Sequence, residues 1–172
     1  EMMKHSIVIL DDEPLIVAAL SETIDWAGLD CEVAGTAYNG VDGIALIDRA
    51  DPDIVISDIV MPGKTGLELA EWCFKKHPET QLIFLSAHSD FEYAQRAIQY
   101  GVRDYVLKPI DPEKLMEAVK RAAVKLDSLE QEKRRFSYLE DAMKTAEPII
   151  SSSILFDIAR YGVNMLRNEY RN

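Results

Sequence analysis

The sequence predicts an α/β fold in which helices cover both faces of a parallel five-stranded sheet. Two observations favour this class. Short apolar runs rich in β-branched residues alternate five times with helix-like segments, and the clearest of these runs end abruptly in charged residues. Strands that are buried on both faces of a parallel sheet have such continuous apolar sequences. The third run, at residues 53–58, is the most apolar and is expected to form the central strand.

The first predicted strand covers residues 5–11. A helix follows, opened by Pro14, because proline suits a first helical turn, and closed by Gly28, because glycine readily ends a helix. The further strands are predicted at residues 31–37, 53–58, 81–86 and 104–107. The further helices are predicted at about 39–49, 67–76 and 90–100 and, behind Asp111-Pro112, from 113 onward. These elements predict a flavodoxin-like, doubly wound (βα)5 sheet with a C-terminal helical extension.

The last predicted helix has no clear stop near residue 125. Apolar residues continue at helical spacing to Met143, although Lys133 and Glu140 interrupt a strict heptad. Pro148 breaks the pattern, and a second amphipathic helix is predicted over residues 154–166. We therefore predict a domain at residues 4–125 and a helical connector at 126–172. The connector would either pack on its own domain or act as a dimerisation or interdomain linker.

Composition argues against several classes of protein. The net charge is −11 at pH 7, and most of it lies before residue 126, which argues against nucleic-acid binding by this chain itself. No stretch approaches the roughly 18 apolar residues of a membrane span, and no secretory signal precedes the first strand. Cys31 and Cys73 are isolated and are expected to be buried, reduced thiols. The expected location is therefore cytoplasmic, without a membrane partner.

Three acids follow two of the predicted strands. Asp11 and Asp12 come after the first strand, and Asp58 comes at the end of the third. Ligand sites of open parallel sheets lie at the carboxyl ends of the strands, so these carboxylates meet if the two strands are neighbours. Such crowding is costly unless a cation lies among them, and a set of oxygen ligands without histidine favours Mg²⁺. An aspartate can also act as a nucleophile and form an aspartyl-phosphate.

Two further polar residues end later strands at the same edge. Ser86 follows the fourth strand and Lys108 follows the fifth. A hydroxyl and an ammonium group can each bind a phosphoryl oxygen. Taken singly these residues are weak indications, since an aspartate after a strand is usually a turn or cap residue. Together with the acids they predict phosphoryl transfer onto an aspartate.

The chain resembles the receiver domain of bacterial two-component response regulators over residues 4–125. The matching motifs are Asp11-Asp12, Asp58 with Met61-Pro62 and Gly66, Ser86-Ala87, and Tyr105 with Lys108-Pro109. The resemblance implies that Asp58 accepts a phosphoryl group from a sensor histidine kinase, and that the protein is no enzyme beyond its own phosphotransfer and dephosphorylation. The implied Mg²⁺ ligands are Asp12, Asp58, the carbonyl of Val60 and, through water, Asp11.

The same resemblance implies a conformational switch. Ser86 would move toward the phosphoryl group, and Tyr105 would rotate inward into the space that is vacated. The physical basis is a two-state element whose equilibrium is shifted by one new, doubly charged group. The expected outcome is a change in association state, either a homodimer through a face of the receiver or contacts of the C-terminal helix.

The sequence also contains Asp90-Phe91-Glu92-Tyr93-Ala94 and Asp104-Tyr105-Val106-Leu107-Lys108-Pro109, followed by a predicted helix that is rich in acidic and basic residues. On these motifs, the connector resembles the helical segment of regulators with an AraC-type DNA-binding output. The two helix-turn-helix units of such an output have no counterpart in the sequence. We therefore interpret the chain as a truncated regulator, in which DNA binding belongs to the full-length protein. The alternatives are a stand-alone receiver, a degenerate receiver that serves only as an interaction module, and an aspartate-based phosphohydrolase of the haloacid dehalogenase type. The last requires an Asp-x-Asp pair after the first strand, whereas Asp11 and Asp12 are adjacent.

Overall fold

A computed structural model describes residues 4–87, 95–102 and 104–146. Within these residues, parallel strands form one sheet in the order β2-β1-β3-β4-β5: β1 is His5–Leu10, β2 Cys31–Ala37, β3 Ile54–Asp58, β4 Gln81–Ser86 and β5 Asp104–Leu107. The helices are α1 Pro14–Thr23, α2 Gly40–Ala50, α3 Gly66–Lys76 and α4 Pro112–Ala146. The predicted flavodoxin-like fold class and its helical extension are confirmed.

The strand register brings the ends of β1 and β3 together. β3 lies at the centre of the sheet, between β1 and β4, and all of its residues are buried. Leu10 pairs with Ser57 across β1 and β3, so Asp11 and Asp58 follow at the same edge of the sheet. The adjacency on which the predicted acid cluster depended is therefore present.

The alternation of side chains along β1 divides the core between the two faces of the sheet. Ile7 and Ile9 pack with α1 and α4 residues such as Leu20 and Leu115. Val8, which lies between them, and Leu10 face the other way and pack with α2 and α3 residues. Because each face of the sheet carries its own apolar cluster, helices are needed on both sides.

The predicted end of the first helix was wrong. α1 stops at Thr23, and Ile24 takes an extended conformation. Gly28 lies inside a short 3₁₀ turn, Ala27–Leu29, so it does not cap α1. The physical reason is Trp26, which is buried and donates its indole N–H to the Leu20 carbonyl over 3.0 Å. Burying this ring requires the chain to leave the helix earlier than glycine placement indicates.

The last helix continues past residue 125 as the apolar pattern predicted, and the structure describes it as far as Ala146. The chain divides into two units, residues 1–127 and 128–172, and the described part of the second is helical, from residue 128 to Ala146. Of the predicted helix at 90–100, the structure describes the C-terminal part, which ends at Gly101 with a φ of 80°. The predicted second amphipathic helix lies outside the described residues. In the described part of the chain, no helix has the length and apolarity of a membrane span.

Candidate functional site

Three carboxylates meet at the carboxyl edge of the sheet. Asp11, Asp12 and Asp58 each offer an oxygen, and these oxygens all lie within 4.8 Å of one another. Asp11 is fully buried and Asp58 is 8% exposed, whereas Asp12 is open to solvent. Like charges at this separation repel strongly when they are removed from water, so the cluster requires positive charge nearby.

Lys108 supplies positive charge to the cluster. Its Nζ donates a hydrogen bond to Asp58 Oδ2 over 2.9 Å and lies 3.0 Å from Asp11 Oδ2. Burial acts to lower the pKa of Lys108, but the contacts with Asp58 and Asp11 outweigh it and raise that pKa above its ordinary value. The backbone of Lys108 is fixed by Ser86, whose carbonyl accepts its N–H over 2.8 Å. The ammonium group is therefore charged and held between the two buried acids.

The two carboxylate oxygens of Asp11 differ in their hydrogen bonding. Its Oδ1 accepts the backbone N–H of Glu13 over 2.9 Å. Its Oδ2 is buried and accepts no well-directed hydrogen bond from any described group, although Lys108 Nζ is close. Burial raises the pKa of Asp11 above its usual value, against the lowering effects of Glu13 and Lys108. A buried oxygen of this kind, beside two further carboxylates, suits a hard cation such as Mg²⁺.

Backbone hydrogen bonds orient the carboxylate of Asp58 at the end of β3. Its Oδ1 accepts the N–H of Ile59 over 2.7 Å and that of Val60 over 3.4 Å. Its Oδ2 faces Lys108. Val60, the predicted carbonyl ligand, lies in the loop directly after β3, and the residue is 54% exposed. The loop thus orients the carboxylate through backbone donors while leaving Asp58 at the edge of the cluster.

Gly66 closes this loop at the start of α3. Its N–H donates to the Ile59 carbonyl over 2.7 Å. A Cβ at Gly66 would lie 2.7 Å from the Asp58 carbonyl oxygen and 2.8 Å from Ile59 Cα. Both neighbours are backbone atoms, so no side-chain rotation can relieve the overlap. Glycine is therefore required here for close approach rather than for an unusual backbone angle.

We expect Gly66→Ala to lower the free energy of unfolding by about 1–3 kcal/mol, because the loop must shift to accept the added methyl group. Urea unfolding followed by circular dichroism measures the loss. Gly28→Ala is the matched control, since a Cβ there would meet the exposed side chain of Asp25. An equal loss in both variants would contradict the proposed backbone overlap.

Ser86 and Tyr105 occupy neighbouring strands beside the acids. Ser86 ends β4, is buried, and donates its hydroxyl to the Ala87 carbonyl over 2.9 Å. Tyr105 lies in β5 opposite Phe84, and the ring centroids are 5.9 Å apart in an edge-on arrangement. Burial raises the pKa of Tyr105 to about 12, so the phenol is neutral. Ser86 therefore ends its strand at the same edge of the sheet as Asp58, whereas Tyr105 lies further from that edge, level with Phe84 and Ser57.

Comparison with known proteins decides the family. A family model described as "Response regulator receiver domain" matches residues 7–120. The chain belongs to the response regulator receiver family. Proteins of this family are signalling modules of two-component systems rather than classical enzymes, and they bind Mg²⁺ at a cluster of aspartates.

Similar receivers occur in transcriptional regulators. YesN of Bacillus subtilis, an uncharacterized transcriptional regulatory protein, is 33% identical over 136 residues, which cover 79% of this chain and 37% of YesN. The REC domain of AraT, a response regulator from Geobacillus stearothermophilus, is similar with a TM-score of 0.71 and 35% identity over 74% of this chain and 99% of that one. The two component transcriptional regulator AraC from Clostridium phytofermentans is similar with a TM-score of 0.68 and 33% identity over 72% and 96%. The chain spans 37% to 56% of the length of the first curated relatives that it matches.

One residue of the receiver site was missed by the sequence analysis. Glu13 Oε1 lies 3.8 Å from Lys108 Nζ, so a third carboxylate faces the ammonium group. The signal was present in the sequence, because Glu13 directly follows Asp11-Asp12 and precedes the proline that opens α1. Its contact with Lys108 depends on where the end of β5 lies relative to β1, which residue types alone do not show.

Proposed function

We propose that the receiver domain at residues 4–125 accepts a phosphoryl group on Asp58 from a sensor histidine kinase in a Mg²⁺-dependent reaction. The observation that carries this proposal is the position of Lys108 Nζ, which contacts both Asp58 and Asp11 within the acid cluster. A cation that already bridges the acceptor carboxylate and its neighbour is well placed to bind a group attached to Asp58. Structural ion pairs can also arise at a sheet edge, but burying Asp11 and Asp58 side by side, next to a third carboxylate, has no evident structural benefit.

In the proposed reaction, one carboxylate oxygen of Asp58 attacks the phosphorus of a phosphohistidine. An oxygen–phosphorus bond forms, the nitrogen–phosphorus bond breaks, and the electron pair returns to the imidazole of the donor. Asp58 is suited to the role because backbone N–H groups of Ile59 and Val60 fix its orientation. Lys108 then exchanges its contact with the free carboxylate for one with a phosphoryl oxygen.

Asp11, Asp12, Asp58 and the carbonyl of Val60 are the residues that we propose hold Mg²⁺. The fit rests on the buried, poorly satisfied Oδ2 of Asp11 and on the all-oxygen character of the cluster. When bound, Mg²⁺ offsets the negative charge that gathers between the attacking carboxylate and the phosphoryl oxygens. The protein contributes the rigid spacing of the carboxylates at the ends of β1 and β3.

Ser86 and Tyr105 are proposed to report phosphorylation to the rest of the domain. The Ser86 hydroxyl, which now donates to the Ala87 carbonyl, would have to turn toward a phosphoryl oxygen. Tyr105 would then move further inward beside Phe84, where its half-buried ring already packs. The conformational change proposed here is a population shift driven by one new charged group.

We propose that residues 126–172 connect the receiver to an output. Similarity to the receivers of YesN and of AraC from Clostridium phytofermentans supports a DNA-binding, transcription-regulating output in the full-length protein. Homodimerisation through the receiver or through α4 is proposed as the means by which phosphorylation reaches that output. The net charge of −11 argues against nucleic-acid binding by this chain itself.

The test is incubation with acetyl phosphate and Mg²⁺, followed by intact-mass measurement and peptide mapping. We expect one phosphoryl adduct on Asp58, absent when EDTA replaces Mg²⁺. Absence of an adduct under both conditions would favour a degenerate interaction module. Steady release of phosphate from p-nitrophenyl phosphate, an unrelated phosphoester, would favour the phosphohydrolase. Molecular mass in solution, measured with and without the phosphodonor, tests the proposed change in association.

A further inference from the structure

Glu13 occupies the N-cap position of α1 but does not cap the helix. Its backbone is extended, with φ −93° and ψ 105°, and its side chain makes no cap hydrogen bond. Short polar side chains are preferred at this position because they reach the first free N–H groups of the helix. The glutamate side chain, which is 64% exposed, instead has its Oε1 3.8 Å from Lys108 Nζ. Helix capping therefore does not explain a glutamate at this position.

Glu13 and the buried acids contact Lys108 differently. Asp58 and Asp11 hold the ammonium group at 2.9 and 3.0 Å and are buried. Glu13 is further away and largely in solvent. It also lies outside the group of carboxylates that are close enough to share a metal ion. Its negative charge is thus exposed to solvent and contacts Lys108 from outside the group of acids that could share a metal ion.

We propose that Glu13 is a specificity-determining residue that disfavours free, highly charged phosphodonors. This inference rests on the proposed function of Asp58. The Glu13 carboxylate competes with an incoming phosphoryl group for Lys108, and it repels an anion that approaches from solvent. Both effects slow phosphorylation of Asp58 by such a donor. A donor histidine on a protein is brought to the site by protein–protein contacts, so the repulsion weighs most on small anionic donors that lack such contacts.

Glu13→Gln tests this inference because the amide keeps the size of the side chain and removes its charge. At saturating Mg²⁺ we expect the second-order rate constant for phosphorylation by acetyl phosphate to rise about two- to five-fold. This factor corresponds to the interaction energy that is typical of an exposed ion pair. In that reaction the Asp58 oxygen–phosphorus bond forms as the bond to the acetate oxygen breaks, and acetate leaves. The increase should shrink as KCl is added, since exposed charges are screened.

Phosphoramidate provides a second donor with a smaller net negative charge. The increase caused by Glu13→Gln should be smaller with phosphoramidate than with acetyl phosphate. Glu22→Gln is the matched control, because it removes an exposed glutamate from the same helix away from the site, and it should leave both rates unchanged. A Mg²⁺ titration of each variant gives a readout that does not depend on phosphoryl transfer, and Glu13→Gln should change the Mg²⁺ affinity by less than about three-fold.

Several results would overturn the inference while leaving the proposed function intact. Equal rates of phosphorylation on Asp58 in wild type and Glu13→Gln would show that Glu13 does not influence the reaction with the donor. A slower variant would show that Glu13 assists phosphorylation. A loss of Mg²⁺ affinity of about ten-fold or more would make Glu13 a metal ligand. Wild-type protein that takes no phosphoryl group from either donor would instead overturn the proposed function.

Discussion

Asp58→Asn is expected to abolish phosphorylation by acetyl phosphate completely. An amide oxygen is a far weaker nucleophile than a carboxylate, so no phosphoryl adduct should form on residue 58. The fold should survive, because the amide oxygen can still accept the Ile59 N–H that now donates to Asp58 Oδ1 over 2.7 Å. Removing one of the clustered negative charges also relieves repulsion with Asp11. Intact-mass measurement after incubation with acetyl phosphate and Mg²⁺ gives the result directly.

Asp48→Asn is the matched control for this experiment. Asp48 is an exposed aspartate on α2 whose Oδ1 lies 3.7 Å from His77 Nε2 and which does not belong to the acid cluster, so its substitution should leave the adduct unchanged. Thermal unfolding of both variants separates loss of chemistry from loss of fold. An adduct of undiminished yield on Asp58→Asn would place the phosphoacceptor elsewhere, and peptide mapping would identify it.

The residues that form the site were predictable because strand ends are visible in the sequence. Asp11 and Asp58 each close a run of buried apolar residues, and parallel strands bring their carboxyl ends to one edge. The prediction that these acids meet assumed that β1 and β3 are neighbours, which the sequence does not show. The structure shows that the two strands pair, with Leu10 opposite Ser57. The residue types therefore predicted that these acids meet, and the order of the strands in the sheet determined the distances between them.

Features that depend on tertiary packing were not predictable in the same way. The end of α1 is set by burial of Trp26, which overrides the usual preference for a terminal glycine. The approach of Glu13 to Lys108 depends on the path of the chain after β5. Neither interaction has a periodic signature, because each joins residues whose contact arises only after the elements have packed.

Lys108→Met should destabilise the protein in Mg²⁺-free buffer and make it more dependent on Mg²⁺. Methionine keeps most of the length and apolar character of the lysine stem but carries no charge. Asp11, which has no solvent exposure, and Asp58 would then lose the ammonium group that contacts both of them at about 3 Å. Breaking a buried pair by removing one partner typically costs about 3–5 kcal/mol. Because Lys108 is partly exposed and Asp11 can take up a proton, we expect about 2–4 kcal/mol from urea unfolding in EDTA.

The dependence on Mg²⁺ distinguishes this effect from an ordinary packing defect. A cation that binds the folded state adds stability in proportion to RT ln(1 + [Mg²⁺]/Kd). Without the competing ammonium, Mg²⁺ should bind Lys108→Met more tightly than wild type, so added Mg²⁺ should recover more stability in the variant. Lys120→Met, on the exposed side of α4, should change neither stability nor Mg²⁺ affinity. A variant that unfolds early and gains no more from Mg²⁺ than wild type would show that Lys108 serves packing alone. The same comparison thus decides whether Lys108 and the metal neutralise the same two carboxylates, as the proposed transfer of a phosphoryl group to Asp58 assumes.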